Sequence, residues 1–145
     1  MISTKKRGLC LILALCTVFL TMTGYCKTVR AATTFHNTLY ADIVNSIDSD
    51  GRLETILHVD GFKGITTLIE TDLYVEKRIL GIFWIRVDIG YTNNVWHDST
   101  TDYHYSNYFD TQLSSHGTYR VTVTYTVSGT GGTPDVIVLT DTDTY

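Results

Sequence analysis

From residue 52 to residue 140 the chain repeatedly alternates apolar and polar side chains with a period of two. A strand sends successive side chains to opposite faces, whereas a helix brings every third or fourth residue round to one side. Tyr119, Val121, Val123, Tyr125 and Val127 give the clearest apolar face, with Arg120, Thr122, Thr124 and Thr126 as its polar reverse. Leu53, Thr55, Leu57 and Val59 form a second face, opposed by Arg52, Glu54 and His58. Ile65, Thr67, Ile69, Thr71, Leu73 and Val75 form a third, opposed by Glu70, Asp72 and Glu76. Phe83, Ile85, Val87 and Ile89 form a fourth, with Arg86 and Asp88 behind them. Val136, Val138 and Thr140 alternate with Ile137, Leu139 and Asp141, so the last strand is expected to be covered on both sides.

Turn chemistry separates these stretches. Asp48-Ser49-Asp50-Gly51, Gly61-Phe62-Lys63-Gly64, Lys77 to Gly81 and Gly129 to Asp135 all carry the residues that reverse a chain. Residues 37–47 and 103–113 are weaker strand candidates. The first also carries Leu39, Ile43 and Ile47 at helical spacing, which admits a short helix. The spacing predicts an all-β fold, a single antiparallel two-sheet sandwich of about seven strands.

The first residues obey different rules. Lys5, Lys6 and Arg7 precede an apolar run from Leu9 to Met22, and Val29-Arg30-Ala31 offers small side chains to a signal peptidase. Residues 1–31 therefore read as a cleaved signal peptide and residues 32–145 as one secreted domain. All three cysteines, Cys10, Cys16 and Cys26, lie in the leader, so the body is expected to hold together without a disulfide. The leader also masks the charge. Residues 32–145 hold six basic side chains and all fifteen acids, a formal net charge of −9. Such a body repels phosphate backbones and anionic lipid heads, so neither nucleic-acid binding nor stable membrane insertion after cleavage is expected.

Within the last alternating stretch, Gly117-Thr118-Tyr119-Arg120 has the shape of the corner that opens a strand in immunoglobulin-like domains. There the tyrosine hydroxyl bonds the backbone a few residues upstream. Two residues later, where antibody domains carry a cysteine, stands Val121. The stretches Leu73 to Arg78, Phe83-Trp84 with Val87 to Gly90, and Gly117 to Tyr125 before a glycine-rich turn make a recurring layout. In them the chain resembles small secreted proteins of unknown function from Gram-positive, clostridia-like bacteria, over most of residues 38–140. That resemblance implies secretion and brings no catalytic residues.

Several clusters invite a chemical reading. His97, Asp98, Asp102 and His104 supply two imidazoles and two carboxylates within eight residues, a donor set that zinc accepts. Their spacing matches no standard metal motif, and no cofactor is expected. Ser46 to Leu57 has acids at alternate positions before Gly51, as calcium loops do, but lacks the first acid and the closing glutamate, so a hairpin turn is the better reading. Asp141-Thr142-Asp143 reads as a frayed polar end. Trp84, Trp96, Tyr103, Tyr105 and Tyr108 are the binding candidates, since exposed aromatic rings on a sheet stack on sugars. No nucleophile elbow or metalloprotease motif occurs. Glu54, Glu70 and Glu76 read as surface acids rather than a glycosidase pair.

The leading expectation is a secreted, non-catalytic interaction protein, extracellular or envelope-associated, whose partner is a protein or a glycan. A carbohydrate-binding module with Trp84 or Trp96 exposed is one alternative. A small metal-dependent or hydrolytic enzyme, with His97 and His104 converging on carboxylates, is another.

Overall fold

The computed structural model describes residues 34–145, and the signal-peptide reading of residues 1–31 lies outside them. Eight strands are present: β1 (Thr38–Ile47), β2 (Arg52–Gly61), β3 (Thr66–Ile79), β4 (Phe83–Arg86), β5 (Trp96–Thr100), β6 (His104–Gln112), β7 (Thr118–Gly129) and β8 (Asp135–Thr144). They form two antiparallel sheets, one ordered β1-β2-β6 and the other β4-β3-β7-β8 with β5 also on β3. The fold is an all-β sandwich. It has eight strands rather than about seven because the free edge of β3 is shared. β4 pairs with its residues Glu76 to Ile79, and β5 with Ile69 to Leu73.

The alternation explains the core. Leu53, Leu57, Val59, Ile69, Leu73 and Val75 are buried, as is the whole Tyr119 to Val127 face of β7. Residues 38–47 form a strand and not a helix, because Ile43 faces inward while Tyr40, Asp42, Val44 and Ser46 face out. Asp48 Oδ1 accepts the N–H groups of Asp50 and Arg52 (3.0 and 2.9 Å), so the acids before Gly51 build the β1–β2 turn.

Four expectations are corrected. Thr67 is exposed, because a bulge between Thr66 and Leu68 shifts the register and turns Thr66 inward. Phe83 and Ile85 are exposed although the sequence pattern puts them on one face with Val87 and the buried Ile89. The β3–β4 hairpin runs past the end of the sandwich: the last β7 partner of β3 is Tyr119, opposite Lys77, and Ile79 pairs only with Phe83. Val136 and Val138 stand exposed on the outer face of β8, which is covered on its inner side only. Asp141 and Asp143 are not a frayed end, since they lie within β8 and bind β1.

That last contact joins the two sheets. β1 is the edge of its sheet, and its outward N–H groups need acceptors. Asp141 Oδ2 accepts from Asn45 N (3.1 Å) and Asp143 Oδ2 from Ile47 N (2.8 Å). At the other end, buried Asp135 takes three consecutive amides: His36 N on Oδ1 at 3.0 Å, and Asn37 N and Thr38 N on Oδ2 at 2.7 and 2.9 Å. Asn37 is fully buried there, its Nδ2 donating to Thr133 O (3.1 Å) and its Oδ1 accepting from Gly131 N (3.2 Å). A side chain at Gly131 would collide with His36 O, 2.2 Å from where its Cβ would sit.

Tyr119 is buried and its hydroxyl donates to Ser115 O at 2.5 Å, four residues upstream as expected. The Tyr125 hydroxyl makes only a long bond of 3.3 Å to Asp42 O. Tyr119→Phe is therefore expected to cost about 1–2 kcal/mol, and Tyr125→Phe less. Denaturant titration compares them, and a costlier Tyr125→Phe contradicts the assignment.

Asp135 sets a pH dependence. Burial pushes its carboxyl up, but the amides of His36, Asn37 and Thr38 outweigh that and hold it below the ordinary carboxylate value. A depressed folded-state value stabilises above the unfolded-chain value and loses that stability as pH falls through the folded one. Asp135→Asn is expected to cost about 3 kcal/mol at neutral pH, with the gap to the parent closing below about pH 4. Urea melts across pH measure this, and a gap that stays constant into acid overturns it.

Candidate functional site

The outer face of the three-stranded sheet is laid out by register. Pairing sets Tyr40, Asp60 and His104 in one row; Asp42, His58 and Ser106 in the next; then Val44, Ile56 and Tyr108; then Ser46, Glu54 and Asp110. All twelve belong to the alternate positions that point away from the core. Val44, Ile56 and Tyr108 are exposed large apolar side chains. Arg52 ties Glu54 (3.3 Å) to Asp110 (3.1 Å) at the far end, an exposed network that contributes little.

The first two rows bring three metal-ligating side chains together. Asp60 Oδ1 lies 2.6 Å from His104 Nδ1, and its Oδ2 lies 3.0 Å from His58 Nε2. The two imidazole rings meet edge to face at 5.2 Å, and the Tyr40 ring packs on His58 at 5.8 Å. Ligand atoms of all three residues fall within 4.8 Å of one another, the one such group among the described residues. The hydrogen bond from His104 holds the Asp60 carboxyl below its ordinary value; burial works against it and His58 adds to it.

The four residues expected to bind metal do not converge. His97 sits on the outer face of the five-stranded sheet, its Nδ1 2.7 Å from Asp72 Oδ1. Its neighbour Asp98 necessarily points to the opposite face. There it accepts from Tyr105 Oη (2.9 Å) and Asn107 Nδ2 (2.7 Å), clamping β5 to β6 across the sandwich. Burial pushes the Asp98 carboxyl up, but Asn107, Tyr105 and the Ser99 amide hold it below the ordinary value. Tyr105, chiefly through burial, is pushed up to about 12. Asp102 is exposed in the β5–β6 turn, and only His104 belongs to the convergent group.

The five aromatic candidates are dispersed as well. Tyr105 is core, and Trp96 is half-buried against Phe109 at 5.7 Å. Tyr103 lies at the rim with Lys63 6.0 Å above its ring, and Tyr108 stands on the outer face described above. Trp84 is half-buried on the opposite sheet, with the guanidinium groups of Arg120 and Arg78 at 4.4 and 5.9 Å from its ring. Neither tryptophan offers a bare ring for a sugar to stack on.

A second feature escaped the sequence reading. At the β3–β4 hairpin, Leu80, Ile82, Phe83 and Ile85 are 83, 73, 59 and 55 % exposed. Leu80 and Gly81 turn the chain with φ of +52° and +71°. An apolar γ-branched residue at such a φ carries strain on the order of 1 kcal/mol, where Asn or Asp would be easier. Lys77, Arg78, Arg86 and Arg120 gather round this end, four of the six basic residues of the body. Arg120 also makes a two-donor ion pair with Glu76 (2.9 and 2.6 Å), and Arg86 stacks on Tyr74 at 3.8 Å.

Comparison with protein-family models and with curated proteins gives no match.

Proposed function

We propose that the chain is exported and that its body is a non-catalytic, immunoglobulin-like interaction module, extracellular or envelope-associated in a Gram-positive bacterium. The observation that carries the reading is the β3–β4 hairpin. Contiguous exposed apolar side chains on a small domain mark a place where something else docks. Here they cap a strained turn, and strain of this kind persists where function needs it. The immunoglobulin-like part rests on the strand order and on the Tyr119 hydroxyl bonded to Ser115 O.

The partner is another extracellular protein. Its docking surface has an apolar centre for Leu80, Ile82 and Phe83 and acidic groups for Arg78 and Arg86. Such an arrangement follows the usual interface anatomy of apolar core and polar rim. A glycan is less well served, because Trp84 is half-buried and the Arg120 guanidinium already lies over its ring.

The purified protein, fluorescently labelled, is expected to bind Gram-positive cell envelopes, and Phe83→Asp or Ile82→Asp is expected to abolish binding without changing the thermal melt. Tyr108→Ala, on the other sheet, leaves binding intact. Binding that survives both hairpin variants contradicts the proposal. So does binding that survives protease treatment of the envelopes, which assigns a glycan, or equal binding to protein-free anionic vesicles, which assigns lipid.

A further inference from the structure

We propose that His58, Asp60 and His104 form a binding site for one divalent transition-metal ion, zinc first. The site lies on the sheet that does not carry the β3–β4 hairpin, and the inference stands whether or not the hairpin docks a protein.

The donor set comes first. Two imidazole nitrogens and one carboxylate oxygen suit zinc, copper and nickel, whereas calcium and magnesium prefer an all-oxygen shell. His58 and Asp60 are two apart on β2, so both side chains leave the same face of one strand. Asp60 and His104 face each other directly in the β2–β6 register. Three ligands therefore stand on paired backbone positions, and their placement costs no loop ordering.

The distances come next. An ion about 2.0–2.2 Å from each donor holds those donors roughly 3–3.5 Å apart. The Asp60 contacts to His104 and His58, 2.6 and 3.0 Å, are already close to that separation. All the ligand atoms fall within 4.8 Å of one another, so the two imidazole nitrogens need to close by at most about 1.3–1.8 Å to share an ion. His58 offers Nε2 and His104 offers Nδ1. In the metal-free arrangement each of these nitrogens carries the N–H that Asp60 accepts. On binding the ion takes the place of those two hydrogens. Each neutral imidazole then holds its proton on its other nitrogen, an exchange that solvent provides at this half-exposed site.

The surroundings favour a cation. Asp42 lies across from His58 on β1, so a second carboxylate borders the group, and the Tyr40 ring covers one side of His58. The three protein ligands occupy one side of the ion. The remaining coordination positions face solvent or a donor from a partner, the open pattern rather than the closed structural one.

The test uses the purified protein with Cys10, Cys16 and Cys26 alkylated, so that no thiolate competes. Zinc chloride is titrated against a competing chelator, and imidazole nitrogen resonances are followed by NMR. One equivalent of zinc is expected to bind, with the ring signals of His58 and His104 shifting and that of His97 unmoved. His104→Ala and Asp60→Asn are each expected to weaken binding at least about tenfold while keeping the parent's metal-free melt. His97→Ala is expected to bind as the parent does. Absence of a bound equivalent overturns the site, as does unchanged affinity in both ligand variants. Loss of binding in His97→Ala overturns it too, by moving the ion to the other sheet.

Discussion

Carboxylates of β8 hold β1 in place, and the rest of the sandwich leans on that edge. β1 pairs with β2 on one side only, and a strand with a bare edge exposes amides that either find acceptors or frustrate burial. Asp135, Asp141 and Asp143 supply them from the other sheet. Five amides of residues 36–47 end on three side chains in this way. Charged acceptors make the stronger kind of hydrogen bond, and Asp135 has three donors to offset the cost of burying its charge. Small extracellular domains often join their sheets by a disulfide. Residues 34–145 contain no cysteine, and this ladder of aspartates joins the two sheets along the seam of β1 and β8.

The consequence for function is a stable platform with two different outer surfaces. Holding β1 fixes β2, and β2 pairs in turn with β6, so the rows that carry Asp60, His58 and His104 inherit their spacing from the seam. On the other sheet, β3 is long enough to carry the hairpin beyond the core, where Leu80 and Phe83 meet solvent. The body is acidic, yet three of its four arginines, Arg78, Arg86 and Arg120, collect beside that apolar tip.

Much of the fold was legible because period two is a local property. The β7 face from Tyr119 to Val127 needed no knowledge of partners, and the turn at Asp48 to Gly51 announced itself by residue type. What failed was non-local. Phe83 and Ile85 obey the inward pattern, but only the length of β7 decides that nothing lies opposite them. His97 and Asp98 looked like two ligands in one cluster, yet adjacent strand residues diverge and β5 and β6 belong to different sheets. His58 read only as one polar residue on the reverse of its strand, and the group it forms with Asp60 and His104 depends on the β2–β6 register, which a single sequence does not state. Asp141 and Asp143 read as a frayed polar end, because an inward carboxylate makes sense only once the amides it meets are known.

Side-chain carboxylates, not solvent, satisfy the edge of β1. Amide hydrogen exchange at neutral pH reads this residue by residue. The amides of Asn37, Thr38, Asn45 and Ile47 are expected to exchange slowly, with opening free energies close to that of global unfolding. Exchange of those amides at the rate of an unprotected edge strand, while the β2 and β7 amides remain protected, would contradict that role of the carboxylates.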